Sequence, residues 1–365
     1  MNIDEKLAKV CEGFCLPGTY IGYELIQMGN VNKTYRVMVR LEDGKEKSFL
    51  VQNLNTYVFK NPTQVMDNID KVTEHIRRKH PGRVALHFHH TKDRKTYIED
   101  GDDFWRMTNF IPSKTYNVVE NLNVVRNAGR AFGSFQVDLS DFDSNSLFET
   151  IPNFHNTTKR FENLAATVAQ DPCGKVCTVQ EELDYLFSVK EMACQLTTLL
   201  EAGKLPLRVT HNDTKINNVL FDGNTDEALV VVDLDTVMPG LVGHDFGDAI
   251  RFAANFTEED SPELEKVGIN MDVFRAFTEG FLEKTAAALT PMELDTLALS
   301  SFVLTVELAV RFLDDYIQGS PYFKINYPEH NLVRTQNQIA LAKDIQKNMA
   351  QMEQIVKDCA AVACC

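Results

Sequence analysis

His211-Asn212-Asp213-Thr214-Lys215-Ile216-Asn217-Asn218 fits the spacing H-x-D-x-x-x-x-N, with a lysine two residues after the acid. Fifteen residues beyond Asn218, at the end of a valine-rich run, stands Asp233. Phosphoryl transfer requires a set of this kind. A carboxylate must orient the attacking hydroxyl and accept its proton. An amide oxygen and a second carboxylate must hold Mg2+ against the phosphates, and a cation should meet the transferring group. On that chemistry Asp213 is the base, Asn218 and Asp233 are the metal ligands, and Lys215 contacts the γ-phosphate. His-x-Asp alone would read as a polar turn with a capping aspartate. The lysine, the asparagine and the later aspartate, all in step, favour the chemistry.

The elements around these residues must position them. Residues 208–240 read as a strand end, a polar loop, a strand (218–221), an Asp222-Gly223-Asn224 turn and a second strand (228–234). Such a hairpin would return Asp233 beside Asn218. Upstream, alternating apolar and polar residues predict strands at Tyr35–Arg40, Ser48–Asn53, Arg83–His89 and Thr96–Asp100. Helical spacing over Gln64–Lys79 ends before His80-Pro81-Gly82. Trp105–Tyr116, of mixed character and with a proline, reads as a connector. Helices dominate after it. Leu122, Val125, Ala128, Phe132 and Phe135 share one face, and Thr290-Pro291-Met292-Glu293 is a capping box opening a long helix. Residues 329–360 form a final helix. The fold class is therefore α+β, a small antiparallel-sheet lobe over 1–109 and a larger helical lobe over 110–365 with an embedded hairpin.

At 365 residues with 44% hydrophobic side chains, the chain can bury sizeable cores and is not globally disordered. A net charge of −15 makes it a poor general binder of nucleic acid or anionic membranes. No apolar run approaches the ~18 residues of a membrane span. The eight cysteines form no CxxC pair, which favours reduced thiols and a cytoplasmic location. Nothing in the sequence sets the oligomeric state.

The H-x-D-x-x-x-x-N constellation resembles the protein kinase-like small-molecule phosphotransferases, the class of aminoglycoside phosphotransferases and choline kinases. HNDTKINNVLFD, VVDLDTVMPG and DFGDAIRF together are similar to the N-acetylhexosamine 1-kinase branch, as are the shorter GNVNKTY, NTYVF, RFLDDY and YFK. The resemblance implies a two-lobe protein kinase-like fold that uses ATP and Mg2+ to phosphorylate the anomeric hydroxyl of an N-acetylhexosamine. It makes Gly29, Asn30, Lys33, Gln52 and Phe110 the candidate nucleotide contacts. Asp213, Asp233, Arg311 and Tyr322 become the candidate sugar contacts, Arg311 donating to hydroxyls or an acetamide and Tyr322 packing on the ring. Without the resemblance, Arg311 and Asp315 read as an ion pair one turn apart.

The chain departs from the superfamily at its third strand, where Asn53 stands in place of a basic residue. Glu74 would then lack its usual ion-pair partner. Two other readings stay open: a kinase of another small alcohol (an aminoglycoside, choline or another hexose) and, prompted by Asn53, a non-catalytic pseudokinase that binds nucleotide or sugar. Asp245-Phe246-Gly247 spells DFG but ends no predicted strand, so Asp245 reads as a helix cap or a partner of the catalytic loop. Asp233-Leu234-Asp235-Thr236 also fits the DxDxT signature of haloacid dehalogenase-type phosphatases, a reading that the helical pattern beyond residue 245 opposes. His87 and His89 share a strand face near His90, but no carboxylate or thiol is spaced to complete a metal site, and they read as a solvated strand.

Overall fold

Five strands between Thr19 and Asn109 form one antiparallel sheet. The computed structural model describes residues 2–26, 32–119 and 121–363. The chain divides into two units, one of Met1–Lys114, Asn145–Ile151 and Val232–Met238, the other of Thr115–Ser144, Pro152–Val231 and Pro239–Cys365. The sequence places a lobe boundary at 109. The first unit runs on to Lys114 and includes two segments from later in the chain.

In the first unit, helix α1 (Ile3–Gly13) precedes strands β1 (Thr19–Ile26), β2 (Lys33–Arg40) and β3 (Glu46–Asn53). Helix α2 (Pro62–Lys79) and strands β4 (Tyr97–Asp100) and β5 (Asp103–Asn109) follow. The sheet order is β1-β2-β3-β5-β4, and every neighbour is antiparallel. Val37, Val39, Phe49, Val51, Trp105 and Met107 form its core, with Leu7 and Val10 of α1 packed on them. Each such side chain contributes roughly 1.5–3 kcal/mol through burial. Proline in the first turn of α2 supplies a preset φ where no amide partner is needed.

Two local expectations are corrected, and one strand was not anticipated. Trp105–Asn109 is not connector but most of β5, a strand buried on both faces, where alternation fades. Arg83–His89 is not a strand. It contributes one bridge, Phe88 to Thr108, because β4 already occupies the outer edge of β5 from Asp103 to Arg106. Strand β1 has no clean alternation because its register shifts between Tyr20 and Gly22.

The second unit is mostly helical: α3 (Leu122–Asp138), α4 (Thr157–Gln170), α5 (Gln180–Ser188), α6 (Lys190–Ala193) and α7 (Gln195–Glu201), then α8 (Val242–Ala253), α9 (Met271–Thr285), α10 (Pro291–Ile317) and α11 (His330–Ala363). Between α7 and α8 come the short strands β6 (Arg208–Thr210), β7 (Val219–Phe221), β8 (Ala228–Val231) and β9 (Met238–Gly240). The expected hairpin is β7–β8, in which Val219 pairs with Val231. The capping box at Thr290 and Glu293 opens α10.

By length and composition α10 is apolar enough to cross a membrane, which the sequence reading does not anticipate. Since 83% of its apolar stretch is buried inside the protein, it serves as a core helix.

Helices α3 and α9 approach until backbone meets backbone. A Cβ at Gly280 would lie 2.0 Å from the Arg126 carbonyl oxygen, and one at Gly129 would lie 2.4 Å from that of Phe277. Alanine favours a helix over glycine by about 1 kcal/mol, but the clash is with backbone and cannot be relieved by a side-chain turn. Gly280→Ala is therefore expected to destabilise by about 1–3 kcal/mol, read as a lower urea midpoint. An unchanged or raised midpoint would refute this account of the α3–α9 contact.

Candidate functional site

The loop after β6 is built around a buried carboxylate. Asp245, in the first turns of α8, accepts the backbone N–H of His211 at Oδ2 (3.0 Å) and that of Asn212 at Oδ1 (2.8 Å). Gln136 of α3 donates to its Oδ2 at 2.6 Å. Burial raises the pKa of Asp245, while the His211 charge and the donated amide bonds pull the other way. One turn on, Asp248 accepts the Thr214 N–H at 3.0 Å and is paired with Arg251 at 2.8 Å. Burial works against the Asp248 charge, but Arg251 holds its pKa below the ordinary carboxylate range. The bend itself needs Asn212 at φ 64°, a left-handed conformation that asparagine tolerates better than most residues. Phe132 and Phe135 meet the buried His211 ring edge-on, and its Nδ1 accepts the Asp213 N–H at 3.3 Å.

This frame brings three of the candidate residues together. Asn218 Nδ2 donates to the Asp213 carbonyl (2.8 Å) and to Asp213 Oδ2 (3.2 Å). Lys215 Nζ lies 3.1 Å from Asp213 Oδ1, and the charge of Asp213 is the main cause of the raised lysine pKa. Asp213 keeps 28% of its side chain exposed. It is a carboxylate held by neighbours on both oxygens and still open to a reactant. Because both N–H groups of Asn218 are spent on Asp213, its carbonyl oxygen remains as an acceptor. Such hard oxygen donors suit Mg2+, which brings most of its own ligands. No cluster of three or more His, Cys, Asp or Glu forms a metal cage among the described residues.

A second group in the same unit reaches this loop through a histidine. The ring of His155 lies 3.3 Å from the Asn212 carbonyl oxygen at Nε2 and 2.8 Å from Glu307 of α10 at Nδ1. One turn further along α10, the Arg311 guanidinium stacks over the rings of Phe154 and Phe323 at 5.4 and 5.5 Å. Arg311 is not ion-paired with Asp315, whose carboxylate accepts the N–H groups of Tyr322 and Phe323 instead. Tyr322 is 68% exposed, with its ring edge-on to Phe323. Arg160 lies here as well. Burial and then Arg311 lower its pKa, and its Nε makes no hydrogen bond. Asp314 Oδ1 is likewise buried without a partner.

The remaining candidates fall in the first unit or outside the described residues. Gly29 and Asn30 lie outside. Lys33 is exposed at the start of β2, opposite Asn53. Phe110 lies under the Arg36 guanidinium at 4.5 Å. Asp233 adopts φ 61°, ψ 57° before a 3-10 turn over Leu234–Thr236. Val219 and Val231 are paired in the hairpin, so Asn218 stands one residue before and Asp233 two residues after a bonded couple. Gln52 donates to Thr34 Oγ1 at 3.1 Å and accepts from Arg106 Nε at 2.9 Å.

Asn53 takes no cationic role. It is tied to Asp103 at 2.7 Å and to the N–H of Phe104 at 3.1 Å. Glu74 pairs with Arg77 and lies 3.5 Å from His87. The three histidines engage Arg77, Asn109 and Asp70 respectively.

Sequence reasoning missed Arg106 and Arg160. Arg106 is buried on β5 and ion-paired with Asp235. Its one signal was a lone arginine inside an otherwise apolar Phe104-Trp105-Arg106-Met107 run. Asp235, the second acid of the DxDxT reading, is 4% exposed and already engaged, so it is no free general acid.

A family model described as the phosphotransferase enzyme family matches residues 29–277. Among solved structures, a microcompartment-associated aminopropanol kinase superposes with TM-score 0.62 at 15% identity, covering 96% of this chain and 99% of that one. A choline kinase from Cryptosporidium parvum Iowa II gives 0.59 at 14%, covering 97% and 98%. A spectinomycin phosphotransferase solved with ADP and spectinomycin gives 0.52 at 12%, covering 96% and 99%. They share the two-lobe fold of antiparallel sheet and helices.

The buried His155–Glu307–His244 group sets an acid response. Burial and then the neighbouring His155 lower His244 from its ordinary 6.5 to about 3, and its Nδ1 accepts the Leu241 N–H at 3.3 Å. Burial opposes the Glu307 charge, yet His155 and the nearby arginines bring its pKa down from 4.5 to about 2. Both folded-state values lie below the unfolded ones. Their stabilisation is complete above pH 6.5 and drains as pH falls, by up to about 1.4 kcal/mol per pH unit for each proton taken up. His244→Gln keeps the acceptor for Leu241 and removes the titration. Its stability is expected to stay flatter between pH 6.5 and 4.5 than that of the parent, as read by urea unfolding. Parallel curves would refute the assignment to His244.

Proposed function

We propose, for a chain that belongs to the phosphotransferase enzyme family, the Mg2+-dependent transfer of the γ-phosphoryl group of ATP to the anomeric hydroxyl of an N-acetylhexosamine. The observation that carries this reading is the Asp213 carboxylate, gripped by Asn218 and Lys215 on a loop that Asp245 and Asp248 hold by its backbone. Asp213 orients the acceptor hydroxyl and takes its proton as its oxygen bonds to the γ-phosphorus and the bond from that phosphorus to the departing ADP oxygen breaks. Lys215, kept charged by Asp213, neutralises the transferring group. Asn218 and Asp233 are assigned as the residues that would hold the metal. Magnesium bound there neutralises charge on the phosphates. The transition state is loose, so positioning and charge supply most of the rate. Gln52, Lys33 and Phe110, with Gly29 and Asn30, are assigned to the nucleotide.

The acceptor is assigned to the group around Arg311. Two guanidiniums, Arg160 and Arg311, disfavour a cationic acceptor such as an amino alcohol. The unpartnered Arg160 Nε and Asp314 Oδ1 offer one donor and one acceptor, and Phe154, Phe323 and Tyr322 offer ring faces. A sugar with hydroxyls and an acetamide satisfies all of these.

Phosphorus NMR of the protein with ATP and Mg2+ tests the reading, with N-acetylglucosamine, N-acetylgalactosamine, choline and 1-amino-2-propanol in parallel. An anomeric phosphate signal in a sugar tube is expected. Signal only with an amino alcohol would overturn the acceptor assignment. Silence in every tube with folded protein would overturn the catalytic reading. Asp213→Asn is expected to lower kcat by about 10²–10⁴-fold. Near-parental turnover would remove Asp213 as the base.

A further inference from the structure

The turn that follows Asp233 is held by side chains from the sheet. Asp233 itself is left-handed without being glycine, a conformation that costs about 1–2 kcal/mol and persists where its surroundings enforce it. Two residues on, the carboxylate of Asp235 is taken on both oxygens. Arg106 of β5 pairs with Oδ1, and Asn32, at the entrance to β2, donates to Oδ2 at 2.7 Å. Arg106 is oriented in turn by Gln52, its cross-strand partner on β3, and its guanidinium lies over the Phe88 ring at 5.7 Å. Asn32 Oδ1 accepts the Asn55 N–H at 2.9 Å. On the far side of the turn, Asn68 of α2 donates to the Val237 carbonyl at 2.9 Å. Arg106 and Asp235 are 3% and 4% exposed. A pair so buried adds little net stability over an apolar substitute but holds geometry.

From this network we infer that Arg106 and Asn32 are positioning residues for the metal ligand Asp233, acting through Asp235. The inference rests on the proposed role of Asp233. Here the buried cation of the sheet meets a carboxylate of the metal-binding turn, whereas Glu74 of α2 is engaged by Arg77 and His87. A side chain on the sheet thus sets where the Asp233 carboxylate stands when the nucleotide arrives with its ion.

The test is a Mn2+ titration followed by electron paramagnetic resonance, in the presence of ADP, with ADP affinity also measured free of metal. The quantity read is the ratio of Mn2+-loaded to metal-free ADP affinity. Asn32→Ala and Arg106→Lys are each expected to lower that ratio at least fivefold, and Asp233→Asn to abolish the gain from metal. The Asn32 variant keeps the test valid if Arg106→Lys fails to fold. A parental ratio in Asn32→Ala, or in an Arg106→Lys protein that is merely less stable, would overturn the inference and leave the pair structural. If the parent protein shows no gain from Mn2+, the metal reading of Asp233 falls, and this inference with it. That result is distinct from variants that match a responsive parent.

Discussion

One buried carboxylate governs the geometry of the loop that carries Asp213. Asp245 sits in the interior, and the N–H groups of His211 and Asn212 and the amide of Gln136 replace the water it has lost. An ionised carboxylate in that place is tolerable only while those bonds are made. The loop therefore cannot relax without exposing the charge. Asp248, one turn along the same helix, repeats the arrangement at Thr214 and has Arg251 for balance. The position of Asp213 thus follows from the position of α8.

Helix α8 in turn takes its place from α10. A Cβ on Gly247 would lie 2.4 Å from the Ser300 carbonyl oxygen, so the helices touch through backbone. The same α10 supplies Glu307, which reaches the loop through His155, and Arg311, which lies a turn further along. This explains why so apolar a helix carries a few charged residues in its second half. Most of its surface builds the core, and a narrow polar strip reaches towards the Asp213 loop.

The fold class was readable because the sheet alternates, the helices carry caps, and the H-x-D-x-x-x-x-N spacing needs a loop between strands. Local errors came where a strand is buried on both faces, as β5 is, or where two segments compete for one edge, as 83–89 and β4 do. Within the site, the candidates Asp213, Lys215 and Asn218 are neighbours in sequence, so spacing alone could bring them together. Asp245 was legible as a cap or a loop partner, since an acid early in a helix is commonly engaged by nearby amides. The Arg106–Asp235 pair was not legible. Its members are 129 residues apart, and only the folded sheet shows that they meet. Arg160 was equally hidden, because an arginine one turn into a surface-patterned helix carries no mark of burial.

The first unit is discontinuous, and this bears on how the chain is made. Asn68 bonds to Phe148 and Val237, and Arg106 bonds to Asp235, so the amino-terminal sheet is completed by residues that leave the ribosome much later. Synthesis proceeds at about 5–20 residues per second, and amino-terminal domains generally fold first. This one emerges with an interior arginine and no carboxylate to receive it. Until residue 238 has cleared the exit tunnel, the sheet is an open form whose polar interior must stay wet. A fragment cut near residue 114 would remain in that state permanently.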